Sequence, residues 1–258
     1  MPRRIDFLIV GTHKGGTTAL HRYLSDQPAF SMAEPKELHF FDDETGVDWA
    51  APDYRAYHAR FPPDGWDRIV GEATPAYCFW PNAPERIARY HPGIKLVFLL
   101  RDPVERAWSH WKMEFARGNE RHPFAWCIRE GRARLAPGCP EAHLRAYSYV
   151  ERGFYGRQLQ RLYALFPREQ VRLVLSDDLK TRPDAVLADL SAFLGAPPPE
   201  PVRPKLVHVA PDIDYAGSAL TAEEVGHLRE VYAGDDALLG QLAGITFGDA
   251  AEAAASVK

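Results

Sequence analysis

The stretch from Phe7 to Leu20, FLIVGTHKGGTTAL, decides the fold of this chain. Its apolar beginning predicts a buried strand, and its end, from Thr17 onward, predicts the start of a helix. Between the two lie residues that let the backbone turn tightly: Gly11, Gly15 and Gly16. Such a turn aims several backbone N–H groups and the positive end of a helix at one point, which suits an anion. The stretch therefore predicts a phosphate-binding loop.

The position of the lysine in this loop separates two chemistries. Nucleoside triphosphatases follow the pattern G-x-x-x-x-G-K-[ST]. Counting from Gly11 places Gly16 correctly but puts Thr17 where that lysine belongs, and the lysine of this chain is Lys14, three positions earlier. A glycine-rich turn that binds no ligand is the alternative, because glycine patterns alone are unspecific.

Composition limits the other classes of function. The chain has 258 residues, 46% of them hydrophobic, which is enough for one large domain with a substantial core. A formal net charge of −4 gives no general attraction to nucleic acid or to an anionic membrane. The first apolar run stops at Gly11, too short for a signal peptide or a membrane span. Three cysteines without a C-x-x-C pair favour a reducing cytoplasm and no zinc site.

Short apolar runs alternate with helical patterns along the chain. Three further runs have the character of strands: Arg68 to Glu72, Lys95 to Leu100 and Val171 to Leu175. The alternation predicts an α/β fold, a single P-loop-like domain with a central parallel sheet flanked by helices on both faces. We expect this domain to cover residues 1–248, with the arginine-rich segment 117–150 as a candidate substrate lid and 249–258 as a frayed tail.

A second informative segment is KLVFLLRDPVERAWSHW, from Lys95 to Trp111. Arg101 follows a predicted strand, and Ser109 comes about two turns into the helix that Pro103 opens. Ligands of open α/β sheets bind at the carboxyl ends of the strands, so we expect Arg101 near the loop after Val10. The guanidinium of Arg101 and the hydroxyl of Ser109 suit a second phosphate.

Two other interpretations of this segment stay open. Asp102 suits the magnesium-binding acid that follows a hydrophobic strand in ATP-dependent phosphoryl transfer, although the lysine and the hydroxyl of such a site are out of register. In the other interpretation, Arg101 and Asp102 cap and pair at a turn from strand to helix, without any ligand.

Five segments, in this order, resemble the sulfotransferases that use 3′-phosphoadenosine 5′-phosphosulfate (PAPS), in particular the carbohydrate branch that includes the heparan sulfate sulfotransferases. They are GTHKGGTTAL, KELHFFD (Lys36 to Asp42), GEATPAY (Gly71 to Tyr77), LLRDPVERAWSHW (Leu99 to Trp111) and RGFYGRQLQRLYALFPREQV (Arg152 to Val171). The resemblance implies transfer of a sulfuryl group from PAPS, without a metal, to a hydroxyl, rather than an amine, of a carbohydrate or natural-product acceptor. The product of the donor is adenosine 3′,5′-bisphosphate.

The same resemblance implies roles for individual residues. It assigns the 5′-phosphosulfate to a run in the loop, Lys14, Gly15, Gly16, Thr17 and Thr18, and the 3′-phosphate to Arg101 and Ser109. Lys14 is then also the cation that neutralises the departing phosphate. Catalysis is assigned to Glu37 as the group that takes the acceptor proton. His39 stands beside it as a second catalytic candidate, and Lys36, Thr74 and Tyr77 are the candidate acceptor contacts.

The sequence departs from the family pattern in two places, of which the first bears on the acceptor. Ala73 stands where the heparan sulfate enzymes carry a lysine, which makes heparan sulfate a less suitable acceptor. In the same segment, Glu72 is expected to orient Lys14 or another base. The loop that closes over the nucleotide in the animal enzymes is not recognisable between residues 204 and 220. In that segment, Lys205 and His208 are the candidates to replace it.

Two alternative functions stay open: an ATP- and magnesium-dependent small-molecule kinase, and a non-catalytic nucleotide-binding protein.

Overall fold

The computed structural model describes residues 4–202, 213, 215 and 218–248. The predicted tail at 249–258, the candidates Lys205 and His208 and most of the segment around them lie outside the described residues. Within the described part of the chain, no helix combines the length and the apolar character that crossing a membrane requires.

Five parallel strands form one sheet in the order β2-β3-β1-β4-β5. They are β1 (Phe7–Gly11), β2 (Phe30–Met32), β3 (Ile69–Ala73), β4 (Lys95–Leu100) and β5 (Val171–Leu175). Four of them confirm the strands that the sequence predicts. The fifth, β2, has three residues, too few for periodicity to reveal it.

Ten α-helices are described along the chain. They are α1 (Thr17–Ser25), α2 (Tyr54–His58), α3 (Ala83–Tyr90), α4 (Pro103–Ala116), α5 (Phe124–Cys127), α6 (Glu141–Tyr147), α7 (Tyr155–Leu165), α8 (Ser176–Thr181), α9 (Pro183–Leu194) and α10 (Ala222–Ala243). Short 3₁₀ turns lie at Pro63–Gly65, Glu130–Leu135, Glu151–Gly153 and Arg168–Gln170.

The chain divides into two compact units, Met1–Arg101 with Arg161–His208, and Asp102–Gln160 with Val209–Lys258. The first unit contains the whole sheet. Phe7 and Ile9 on β1 pack into a core that includes Leu20 on α1 and Leu187 on α9. Leu8 points to the other face of the sheet and is also fully buried, so both faces are covered. The predicted parallel sheet with helices on both faces is confirmed.

The strand order places the chemistry of the first unit. Strand β1 lies between β3 and β4. The chain passes from β1 to β2 on one side of the sheet, and after β3 it crosses to β4 on the other side of β1. Ligands of open α/β sheets bind outside the carboxyl ends of the strands at such a switch point. The residues that follow β1, β2, β3 and β4 therefore meet at the edge of the sheet where a ligand is expected.

The second unit has its own core of helices. Trp111 on α4 and Leu228 on α10 are fully buried within it, beside Tyr149. The carboxylate of Asp235 accepts hydrogen bonds from the backbone N–H groups of Gly156 (2.7 Å) and Arg157 (3.0 Å), at the start of α7. A side chain of α10 thus satisfies the donors that a helix leaves open at its N-terminus.

Candidate active site

The loop after β1 owes its path to close backbone approach and to one left-handed turn. A Cβ atom on Gly11 would lie 2.3 Å from the Sγ atom of Cys78. On Gly15 it would lie 2.9 Å from the carbonyl oxygen of Thr12. Gly16, with φ 96°, is the N-cap of α1 in the left-handed region that glycine adopts most easily. Local steric constraints therefore favour glycine at each of these three positions.

Two hydrogen bonds tie this loop to the end of β4. The backbone N–H of Thr12 donates to the carbonyl oxygen of Leu99 over 2.9 Å. Nη1 of Arg101 donates to the carbonyl oxygen of Lys14 over 3.3 Å, and Lys14 itself has a left-handed backbone with φ 68°. The structure thus brings together Arg101 and Lys14, as the sequence predicts.

The start of α1 completes a set of groups that suits a phosphate. The N–H groups of Ala19 and Leu20 donate to the carbonyl oxygen of Gly16, so the earlier N–H groups of Thr17 and Thr18 precede the first intrahelical bonds. These N–H groups, the helix dipole, the ammonium of Lys14 and the guanidinium of Arg101 are all attractive to an anion. Ser109 lies half-buried on α4 in the second unit, and its role in phosphate binding stays a prediction.

The segment after β2 carries the candidate base in an ionic cluster. Nζ of Lys36 and Oε1 of Glu37 form an ion pair. Nε2 of His39 lies 3.6 Å from Oε2 of Glu37, while Nδ1 of His39 lies 2.8 Å from Oδ2 of Asp42. Asp42 is fully buried. Its carboxylate therefore fixes the imidazole of His39 in the orientation that faces Glu37.

The electrostatics of this cluster keep both central groups charged at neutral pH. Burial raises the pKa of Glu37, but the hydrogen bonds from His39 and Lys36 and the charge of Lys36 outweigh it, and the pKa is lowered to about 2. The hydrogen bonds to Asp42 and Glu37 raise the pKa of His39 to about 9. At neutral pH, Glu37 is therefore a carboxylate next to an imidazolium.

Asp42 is a residue of this site for which the sequence predicted no role. It lies within KELHFFD, three residues after His39, and the motif itself was the signal that could have found it. Its burial and its hydrogen bond to His39 depend on the folded path of the chain, which the motif does not specify.

Thr74 and Tyr77 were predicted to contact the acceptor, yet both are fully buried. Their hydroxyls donate to the buried carboxylate of Glu72, over 2.5 Å from Thr74 and 2.8 Å from Tyr77. The acceptor contact stays a prediction that this burial does not favour. Glu72 was expected to orient Lys14 or another base. The hydrogen bonds described for its carboxylate come instead from the hydroxyls of Tyr57, Thr74 and Tyr77. Lys36 is largely buried and ion-paired with Glu37.

The arginines of the candidate lid, segment 117–150, are largely paired with acids. The pairs are Arg117 with Glu114, Arg129 with Glu223, Arg132 with Glu151, Arg134 with Glu120, and Arg145 with Glu141. Paired arginines present less net positive charge to a ligand. The function of this segment as a lid stays a prediction.

Asp102 behaves as a helix cap. Its Oδ1 accepts hydrogen bonds from the backbone N–H groups of Val104 (2.9 Å) and Glu105 (3.0 Å), and its Oδ2 accepts from Arg229. The cap agrees with one part of the second interpretation of this turn, and the ion pair of Asp102 is with Arg229. Among the residues that the structure describes, no group of three or more His, Cys, Asp or Glu side chains could hold a metal ion.

A family model described as a sulfotransferase domain matches residues 4–210. The chain belongs to the sulfotransferase family. A sulfotransferase from Alicyclobacillus acidocaldarius has a crystal structure that superposes with a TM-score of 0.76 at 28% identity, covering 93% of this chain and 96% of that one. The predicted family and its P-loop-like fold are thereby confirmed.

Curated relatives place this sulfotransferase beside the carbohydrate branch, as its sequence motifs predict. Heparan sulfate glucosamine 3-O-sulfotransferase 5 of Mus musculus is 33% identical over 195 residues, 74% of this chain and 53% of the mouse protein. Bifunctional heparan sulfate N-deacetylase/N-sulfotransferase 2 of Homo sapiens is 28% identical over 204 residues, 74% of this chain and 22% of the human protein. The chain thus spans about half the length of the first relative and less of the second.

Proposed function

We propose that this sulfotransferase transfers the sulfuryl group of PAPS to a hydroxyl of a carbohydrate acceptor. The observation that carries the proposal is the hydrogen bond from Arg101 to the backbone of Lys14, which brings the guanidinium to the loop that carries Lys14, before the N-terminus of α1. A donor with phosphates at both its 5′ and 3′ positions needs positive groups for both. Lys14 with Gly15, Gly16, Thr17 and Thr18 would bind the phosphosulfate, and Arg101 with Ser109 the 3′-phosphate.

In the proposed reaction the acceptor oxygen attacks sulfur in line with the bond that breaks. The S–O bond to the 5′-phosphate breaks, its electron pair leaves with the phosphate, and adenosine 3′,5′-bisphosphate is released. Lys14 and the N–H groups of α1 stabilise the charge that grows on this phosphate. The enzyme contributes mainly position and charge stabilisation, and no metal is needed for these steps.

Glu37 takes the proton of the acceptor in this proposal. A carboxylate with a pKa of about 2 is fully ionised at neutral pH, but it is a weak base. This suffices because the acceptor hydroxyl becomes strongly acidic once its oxygen bonds to sulfur, so the proton moves late. His39 and Lys36 hold the carboxylate in place until that moment.

The acceptor is expected to carry less negative charge than heparan sulfate. Ala73 stands where the heparan sulfate enzymes carry a lysine, and Ala73 is fully buried at the end of β3. A methyl group in that place offers no partner to a sulfate or carboxylate of a sugar chain. We therefore favour a neutral carbohydrate or another small polar acceptor, in a cytoplasmic setting.

A single experiment tests the reaction. The protein is incubated with ³⁵S-labelled PAPS and a panel of neutral and anionic oligosaccharides, and products are identified by mass. We expect a gain of one sulfuryl group on a hydroxyl, undiminished by a chelator. Turnover that requires ATP and magnesium would support the kinase alternative instead. Tight binding of adenosine 3′,5′-bisphosphate without product from any acceptor would favour a non-catalytic protein.

A further inference from the structure

Glu72 is a fully buried carboxylate at the end of β3, and three hydroxyl groups surround it. Its Oε1 accepts hydrogen bonds from Thr74 (2.5 Å) and Tyr77 (2.8 Å), and its Oε2 accepts from Tyr57 (2.5 Å). A carboxylate buried with three donors is well satisfied, although its removal from water is costly. The proposed reaction assigns no step to Glu72, so its burial calls for another explanation.

Two of these hydroxyls also hold the loop that carries the candidate base. The backbone N–H of His39 donates to Oγ1 of Thr74 over 3.4 Å. The backbone N–H groups of Phe40 and Phe41 donate to the hydroxyl of Tyr77 over 3.1 Å and 3.5 Å. The third hydroxyl differs, because Tyr57 touches this loop through its ring, which stacks on Phe40 with centroids 4.6 Å apart.

The direction of each hydroxyl hydrogen gives Glu72 its influence. A hydroxyl has one hydrogen to donate and two lone pairs to accept with. When Thr74 and Tyr77 donate to Glu72, their lone pairs are left facing the N–H groups of the loop. Without the carboxylate these hydrogens are free to rotate, and a hydrogen turned toward a backbone N–H repels it.

A further hydrogen bond fixes the loop to the same strand end. The backbone N–H of Glu37 donates to the carbonyl oxygen of Ala73 over 3.1 Å. Residues 73–77 thus hold the backbone at positions 37, 39, 40 and 41. Since the side chains of Glu37 and His39 start from this backbone, its placement sets where the proton acceptor stands.

We propose that Glu72 is a positioning residue, which orients the hydroxyls of Thr74 and Tyr77 so that they hold the loop of Glu37 and His39 in its reactive place. The proposal rests on the proposed function for the role of Glu37 in proton transfer. The placement of the loop itself can be measured without any acceptor.

Three variants and a matched control test this role. Tyr77→Phe removes the acceptor of the Phe40 and Phe41 N–H groups, and Glu72→Gln puts an amide N–H₂ where a hydroxyl must donate. Thr74→Val removes the partner of the His39 N–H and serves if Tyr77→Phe does not fold. Tyr57→Phe is the control, because Tyr57 is buried like Tyr77 and also donates a hydrogen bond to Glu72. Its hydroxyl does not accept from the N–H groups of the loop, so these keep their acceptors in the variant.

The first readout is the titration midpoint of the His39 imidazole, followed by NMR in the full-length protein without ligand. The contacts of His39 with Asp42 and Glu37 raise its pKa to about 9. We expect Tyr77→Phe, Thr74→Val and Glu72→Gln to lower this midpoint by roughly one unit as those contacts loosen. Tyr57→Phe is expected to leave it unchanged. Equal midpoints in all variants, or an equal shift in the control, would overturn the proposal.

The second readout is turnover with the carbohydrate found to be sulfated. We expect kcat to fall about tenfold to hundredfold in the three variants, since small displacements of a catalytic group have effects of this size. The Kd of adenosine 3′,5′-bisphosphate is expected to stay unchanged, because the loop after β1 is a different segment. A loss of kcat that persists in full when the same substitution is added to Glu37→Gln would show a general structural defect and overturn the proposal. If no carbohydrate is sulfated, the proposed function fails and the NMR midpoint still decides the positioning role.

Discussion

The guanidinium of Arg101 donates a hydrogen bond to the backbone carbonyl oxygen of Lys14, although the two residues stand 87 positions apart in the sequence. The contact joins the residue that follows β4 to the loop that follows β1, at the switch point of the sheet. It brings the guanidinium of Arg101 to the loop that carries Lys14 and leads into α1. A chain with a net charge of −4 needs positive groups close to the binding site to hold a donor that carries several negative charges.

Replacing Lys14 by alanine is expected to reduce turnover with PAPS about 10²-fold to 10³-fold, because in the proposed reaction the ammonium stabilises charge that develops on the departing phosphate. Binding of adenosine 3′,5′-bisphosphate should weaken less. Steady-state kinetics with labelled PAPS measures the first effect and calorimetry the second. Lys180→Ala, which removes an exposed lysine paired with Asp177, is the control and should change neither.

Replacing Glu37 by glutamine should suppress transfer about 10²-fold or more and leave the Kd of adenosine 3′,5′-bisphosphate unchanged. The amide keeps the shape of the side chain but cannot accept the acceptor proton. Glu34→Gln changes an exposed carboxylate three residues earlier and serves as the control. Normal turnover of Glu37→Gln would remove Glu37 from the mechanism.

The ionic cluster around His39 predicts how stability depends on pH. His39 has a pKa of about 9 in the folded protein against 6.5 ordinarily, so between these values the folded state holds a proton that the unfolded state has lost. Its contribution is complete below pH 6.5 and is lost as the pH rises through 9. Glu37, with a pKa of about 2 against 4.5, contributes above pH 4.5 and loses its contribution as the pH falls through 2.

His39→Asn is therefore expected to flatten the fall of Tm between pH 6.5 and 9. Differential scanning calorimetry across this range measures it. His91→Asn is the control: burial lowers the pKa of His91 below 6.5, so its removal should leave the slope above pH 6.5 unchanged. Parallel Tm curves for the wild type and His39→Asn would mean that the imidazolium is not held by Asp42 and Glu37.

Gly11→Ala is expected to lower the free energy of unfolding by about 1–3 kcal/mol, since overpacking a tight site has this cost. The new Cβ atom would lie 2.3 Å from Sγ of Cys78 and 2.8 Å from the ring of Phe98. Gly226→Ala, in exposed space on α10, should instead stabilise the protein by roughly 0.5–1 kcal/mol. Urea unfolding of both variants measures the difference, and a neutral Gly11→Ala would contradict the described packing.

Much of the fold was predictable because its signals are local. The apolar runs of β1, β4 and β5 each depend on neighbours in sequence, and the structure has all three strands. The short strand β2 was not predicted, because three residues are too few to show the alternation typical of a strand. Ladder bonds to β3, rather than its own sequence, make it a strand.

The candidate site was predictable only in part. Lys14, Glu37 and Arg101 follow strands, and their motifs mark them. The burial of Thr74 and Tyr77 and the capture of their hydroxyls by Glu72 depend on how the chain packs after β3. Spacing in a sequence does not show whether a hydroxyl faces a ligand or a buried carboxylate. The sequence alone therefore could not show that Thr74 and Tyr77 donate to Glu72.

Calorimetric titration with adenosine 3′,5′-bisphosphate and with ADP tests the central claim most directly, because the two nucleotides differ in whether the second phosphate sits on the ribose 3′ position. We predict that the wild type prefers the 3′,5′-bisphosphate, and that Arg101→Ala weakens its binding about tenfold to hundredfold while leaving ADP binding little changed. Equal affinities of the wild type for the two nucleotides would contradict the account.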